Sequence, residues 1–132
     1  MICQDILVNC NLNFTEIKKV ISQILSINPS EILVVEEIPE EPISNLIRVL
    51  CQAQDVYGDF QQLISVYVKD SSLSALLNTE ALGRFCEASK CICLISDDSV
   101  NPYSMTLIKG IGDYQTAYLS PEFLEEEKYV LS

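Results

Sequence analysis

The sequence predicts one α+β domain over residues 1–132: a mainly antiparallel sheet of about six strands with two or three helices packed on one face. Three observations carry this. The chain has 132 residues, 48% of them hydrophobic, which is too apolar for a disordered chain. Area scaling gives roughly 7,000 Å² folded against roughly 21,000 Å² unfolded, enough burial for one core without a metal or disulfide. Two stretches follow the helical period, whereas the other apolar runs come in hairpin-connected groups rather than in strict βαβ alternation, which favours helices on one side of an antiparallel sheet. No internal repeat, low-complexity tract or long linker divides the chain.

Residues 3–9 begin with an apolar strand, Cys3-Gln4-Asp5-Ile6-Leu7-Val8. Asn13 then precedes Phe14, with Glu16 three positions on, the pattern of an N-cap and capping-box acid. Phe14, Ile17, Val20, Ile21, Ile24 and Leu25 recur at helical spacing, so a helix is expected over 14–27. Asn28-Pro29-Ser30 ends it. The short β-branched run 31–36 reads as a strand. Glu37 to Pro42 cannot be a central strand, because each proline removes a ladder donor. Residues 45–53 and 60–69 alternate around Asp55-Val56-Tyr57-Gly58-Asp59, a hairpin pattern. Leu73, Leu76, Leu77, Ala81, Phe85 and Ala88 mark a second helix over 70–88, which Asn78-Thr79 and Gly83 weaken, so a break near residue 79 is expected. Lys90 to Ser96 is a buried-type strand. Tyr103 to Lys109 alternates, and Gly110 to Asp113 turns the chain into a strand over 114–119. Ser120-Pro121-Glu122 reads as N-cap, first-turn proline and first-turn acid of a short helix, and 128–131 as its end or a last strand.

Composition excludes several kinds of chemistry. There are no histidines. A Ser-His-Asp or Cys-His arrangement is impossible, and so is imidazole ligation of a metal. No side chain has an unperturbed pKa between about 5 and 8. The net charge is -11, spread as nine acids and three bases in residues 1–66 and ten acids and five bases in 67–132. That field opposes binding to nucleic acid or to an anionic membrane, and favours a basic partner. The start Met1-Ile2-Cys3-Gln4-Asp5 lacks the basic, apolar pattern of a signal peptide. The six cysteines, Cys3, Cys10, Cys51, Cys86, Cys91 and Cys93, are therefore expected to be free thiols in a reducing cytoplasm. Cys3, Cys51, Cys91 and Cys93 are expected to act as small hydrophobes within strands.

Local signatures of catalysis are weak. Cys91-x-Cys93, with Cys86 nearby, offers soft-metal ligands. In an extended strand the same spacing puts both thiols on one face, so core packing is the simpler reading. Gly110-x-Gly112 lies between strands and is followed by no phosphate-binding motif, which leaves a hairpin turn. Asp97-Asp98 carries carboxylates able to hold a divalent cation, within a stretch of turn formers. No Ser-x-x-Lys dyad occurs. The expectation is a non-enzymatic protein with no cofactor and no metal.

Two acidic clusters stand out: Glu36, Glu37, Glu40 and Glu41 in one loop, and Glu122, Glu125, Glu126 and Glu127 near the C-terminus. Surface acids ordinarily serve solubility. Combined with Tyr57, Tyr103, Tyr114, Tyr118 and Tyr129, they also suit an interface for a basic protein. Size, acidity and element order resemble those of many bacterial immunity and antitoxin proteins, a likeness of type that no motif carries. The first expectation is therefore a protein-interaction domain that binds a basic partner. The alternative is a small-ligand or metal-dependent protein, possibly an enzyme, built on Asp97 and Asp98 or on Cys86, Cys91 and Cys93. A homodimer paired through an exposed sheet edge is a third expectation.

Overall fold

A strand with apolar residues on both faces needs two covers, and this chain builds them differently. The computed structural model describes residues 2–74 and 78–132. Its strands are β1 (Ile2–Val8), β2 (Ile32–Val35), β3 (Val49–Asp55), β4 (Tyr57–Gly58), β5 (Gln62–Val68), β6 (Cys93–Ser96), β7 (Ser104–Gly110), β8 (Asp113–Tyr118) and β9 (Lys128–Tyr129). The helices are α1 (Phe14–Leu25), α2 (Ser71–Ser74) and α3 (Thr79–Ser89), with 3-10 segments at Pro29–Glu31 and Pro121–Glu126. The architecture is α+β. Seven strands, rather than about six, form the main sheet in the order β2-β3-β5-β1-β6-β7-β8, and β4 pairs with β9 in a second, two-stranded sheet. Every pairing in the main sheet is antiparallel except β2 with β3. Strands β3 and β5 pair as the hairpin pattern predicts, with Val49 opposite Val68 and Asp55 opposite Gln62.

Helix α1 begins where the capping box places it. The Asn13 side chain accepts from the Glu16 N–H at 2.8 Å, and the Glu16 carboxylate accepts from the Asn13 N–H at 3.2 Å. It stops at Leu25, two residues short of the expected end, because Ser26 turns left-handed at φ 54°. Its Ile17, Val20, Ile21 and Ile24 pack with Leu82 and Phe85 of α3 against Ile6, Val49, Val66 and Ile108 of the sheet. Phe14 departs from expectation: the first residue of α1, it is 44% exposed. The expected helix over 70–88 is two helices separated near residue 78, and Leu76 and Leu77 lie outside the described residues.

Among the described residues, no α-helix packs on the other sheet face. Leu7, Leu94 and Leu107 form a smaller core there with Val56, Phe60 and Leu119. Chain beyond β8 covers part of it. The expected C-terminal helix is a 3-10 segment; Ser120 supplies no side-chain cap. The expected alternative end is a strand, as β9 pairs with β4 and Leu119 bridges to Leu131.

The expectation of six free thiols is overturned. Cys10 and Cys91 form a disulfide, while Cys3, Cys51, Cys86 and Cys93 are free. The sheet register explains the pair. Leu7 faces Leu94 and Val8 faces Cys93 across β1 and β6, and the Asn9 N–H continues the ladder by donating to the Ile92 carbonyl at 3.2 Å. Cys10 and Cys91 are the next residues in that register, with Cα atoms 6.1 Å apart, inside the range a disulfide spans. Cys51, Cys86 and Cys93 are buried, as hydrophobic packing predicts. Cys3 is exposed instead, because its strand parity turns it to the face without helices.

Candidate interaction surface

The acidic loop starts at the edge of the sheet, and its first residue is pinned. The Gln52 amide on β3 donates to the Glu36 carbonyl at 3.3 Å. Beside it, β3 ends at Asp55. The 11–14 segment closes the gap through Gln62, which is 5% exposed. Gln62 accepts from the Leu12 N–H at 3.1 Å and donates to the Leu12 carbonyl at 3.0 Å. A buried amide satisfied at both ends fixes the backbone that it holds. The result is a groove of about 460 Å³ at this end of the sheet, lined by Asn11, Asn13, Phe14, Glu36, Asp55 and Gln62 among others. No Lys or Arg is among the described residues lining it.

The second acidic cluster reaches the same end through β4. Glu127 is left-handed at φ 56° and closes the 3-10 segment. Its carbonyl accepts from the Tyr57 N–H at 3.1 Å. The Asp59 N–H donates to the Tyr129 carbonyl at 2.8 Å, and the Asp59 carboxylate accepts from the Leu131 N–H at 2.9 Å. Asp55, Tyr57 and Asp59 thus lie between the two predicted clusters along the chain. Tyr57, 63% exposed, is the tyrosine set among the acids. All eight predicted glutamates are exposed. The hydrogen bonds tie Glu36 and Glu127 to the β3–β4 end of the sheet, whereas Glu37, Glu40, Glu41, Glu122, Glu125 and Glu126 extend from it without side-chain hydrogen bonds or ion pairs among the described residues.

Sequence reasoning missed Phe14, Asn11 and Asp55. Phe14 fits the apolar period of α1, and only its place in the first turn of the helix distinguishes it. Asp55 reads as a turn residue but ends β3, and it shares the groove with Glu36 because β2 runs parallel to β3.

The other candidates fall elsewhere. Asp97 is engaged within its own loop: it accepts from the Ser104 hydroxyl and, at 3.0 Å, from the Ser99 N–H. These bonds, the Ser104 one first, hold its carboxyl below the usual range. Cys91 is in the disulfide. The Cys86 thiol donates to the Ile108 carbonyl at 3.3 Å in the helix-side core, where hydrogen bonding to Cys86 and burial push the Cys93 thiol far up. Burial pushes Cys51 up to about 12. Cys51 and Cys93 are therefore poor nucleophiles and ligands at neutral pH, while the hydrogen bond from Cys93 holds the Cys86 thiol below its ordinary value. Among the described residues, no group of three or more Cys, Asp or Glu is placed to hold a metal ion. Gly110 and Gly112 form the β7–β8 turn, with Gly112 at φ 76°. Tyr103, Tyr114 and Tyr118 lie on the far edge, at β7 and β8. Among the described residues, no helix is long and apolar enough to cross a membrane.

Compared with known proteins, the chain matches no family model, no curated protein and no solved structure.

Proposed function

We propose that this protein is a non-catalytic interaction domain whose acidic end binds a basic protein partner. The observation that carries the reading is the groove lined by Glu36, Asp55 and the exposed Phe14, with exposed Tyr57 two residues beyond Asp55 and hydrogen-bonded through its backbone to Glu127. Aromatic anchors within one sign of charge suit an interface core with a steering rim. The net charge of -11 would accelerate encounter with a cationic partner and select against anionic ones, nucleic acid included. Neutralising a basic enzyme, in the manner of immunity and antitoxin proteins, is one task that such a surface suits. The cytoplasm was expected from the sequence; the Cys10–Cys91 bond weighs against it, since disulfides persist mainly in oxidising compartments. The proposed surface does not depend on the compartment.

The test uses two baits, the natural chain and a variant with Glu36, Glu37, Glu40 and Glu41 changed to Lys. A basic protein that is retained from native-host lysate by the natural chain, released as salt rises and lost from the variant supports the reading. A partner retained equally by both baits removes the loop from it, and association rates that are unchanged by the reversal remove the steering role.

A further inference from the structure

The sheet face opposite α1 and α3 holds a second concavity, which shares no lining residue with the groove at Glu36 and Asp55. It is a cleft of about 580 Å³, within the 300–1,000 Å³ typical of small-molecule sites. Its floor is apolar: Leu7, Leu63, Leu94 and Met105 from four neighbouring strands. The C-terminal segment adds Leu124 and Tyr129. Two charged side chains line it, Asp5 and Asp98, and no Lys or Arg does so among the described residues.

Asp5 is positioned rather than loose. It stands opposite Ser65 in the β1–β5 ladder, and the Ser65 hydroxyl, on a residue only 5% exposed, donates to its carboxylate at 2.8 Å. Cys3 donates to the same oxygen at 3.6 Å. Burial, and next the Asp5 charge, push the Cys3 thiol up; burial, Glu127 and Asp5 do the same for the Tyr129 hydroxyl. Both groups therefore stay neutral at physiological pH, and the carboxylates alone set the charge of the cleft. Asp98 lines the cleft with its backbone left-handed, at φ 58°, while Asp97 accepts from Ser104.

We propose that this cleft binds a small organic cation with an apolar body, an alkyl- or arylalkyl-ammonium. The ammonium sits at the Asp5 and Asp98 carboxylates, and the body lies on the leucine and methionine floor. An anion of the same shape would meet two negative charges. A neutral analogue would gain the floor but leave the carboxylates with water.

The experiment follows methyl and amide NMR signals of the full chain during titration with phenylbutylammonium, phenylbutanol and phenylbutyrate. The ammonium should shift Leu7, Leu63, Leu94 and Met105, with an affinity about tenfold above that of the alcohol, the scale of one hydrogen bond to a charged group. Phenylbutyrate should be the weakest. Asp5→Asn should weaken the ammonium several-fold and leave the alcohol unchanged. Asp98→Asn, at an exposed loop position whose backbone asparagine tolerates, should weaken the ammonium alone without touching the fold. Equal affinity for ammonium and alcohol would overturn the proposal. So would shifts centred on Phe14 and Asp55, or cleft methyls unmoved at millimolar ammonium. Partner binding at the acidic end is read separately, so failure here leaves that reading standing.

Discussion

Asp97 and Asp98 are neighbours in the chain with different surroundings. Asp97 accepts from the Ser104 hydroxyl and the Ser99 N–H, and its carboxyl is held low by those bonds. A carboxyl whose folded pKa is depressed stabilises the fold above its unfolded pKa, and that stabilisation is lost as pH falls through the folded value. Here the part at stake is local, because the group is solvent-facing and screened. Ser104→Ala removes the larger bond. The Asp97 carboxyl should then titrate at higher pH, toward the ordinary aspartate value, as followed by its ¹³C shift. An unmoved midpoint would show that Ser99 and the turn alone set it. Asp70 obeys the same rule: bonds from Ser72, then Arg48, hold it low, and Arg48 lies 3.3 Å from Asp70 and 3.8 Å from Glu31. Both pairs are partly exposed and contribute little stability.

At the scale of elements, glycine in α3 has a use that helix propensity hides. Gly83 faces β7 so closely that an added Cβ would lie 2.8 Å from the Gly110 carbonyl oxygen. In an exposed helix, Gly→Ala is stabilising by about 1 kcal/mol. Here the obstruction is backbone, so Gly83→Ala should destabilise by about 1–3 kcal/mol, the usual cost of overpacking. Urea denaturation measures the sign directly, and a stabilised variant would refute the close approach. Gly58 has a similar constraint, at φ 99° with Tyr129 backbone 2.5 Å from a notional Cβ. Only glycine lets β4 receive β9, and that pairing holds the C-terminal acidic segment against Tyr57.

For the whole molecule, the decisive covalent feature is the Cys10–Cys91 bond, which joins residues 81 apart in sequence. Cross-linking across so long a loop removes much of the freedom of the unfolded chain, by up to about 4–5 kcal/mol in the loop-entropy account. Changing both Cys10 and Cys91 to Ser should keep the β1–β6 ladder and the fold, but lower unfolding stability by about 2–4 kcal/mol. Unfolding free energies extrapolated from denaturant curves of the two proteins, each with its own slope, check it; equal free energies would mean that the bond adds nothing. The surface of 7428 Å² is near the roughly 7,000 Å² that size alone gives. The fold is therefore of ordinary compactness, and the bond adds to a core that already exists.

Local rules determined much of this protein by themselves. The capping box at Asn13 and Glu16, the alternation of Val49, Cys51 and Ala53, and the Gly110–Gly112 turn each depend on neighbours within a few residues, so the sequence states them directly. It also determined what is excluded, because no fold can supply the missing histidines. Only the tertiary structure decided the rest. The parallel seat of β2 beside β3 brought Glu36 to Asp55, and the β4–β9 pairing brought Glu127 to Tyr57. The continued register of β1 and β6 joined Cys10 to Cys91 against the expectation of free thiols. The packing of α1 left Phe14, at its start, exposed although its spacing marks it as core. These outcomes depend on which strands become neighbours, and strand partners are chosen by the packing of distant segments on a shared core. Periodicity records which face of a strand is apolar, but not which strand will lie beside it.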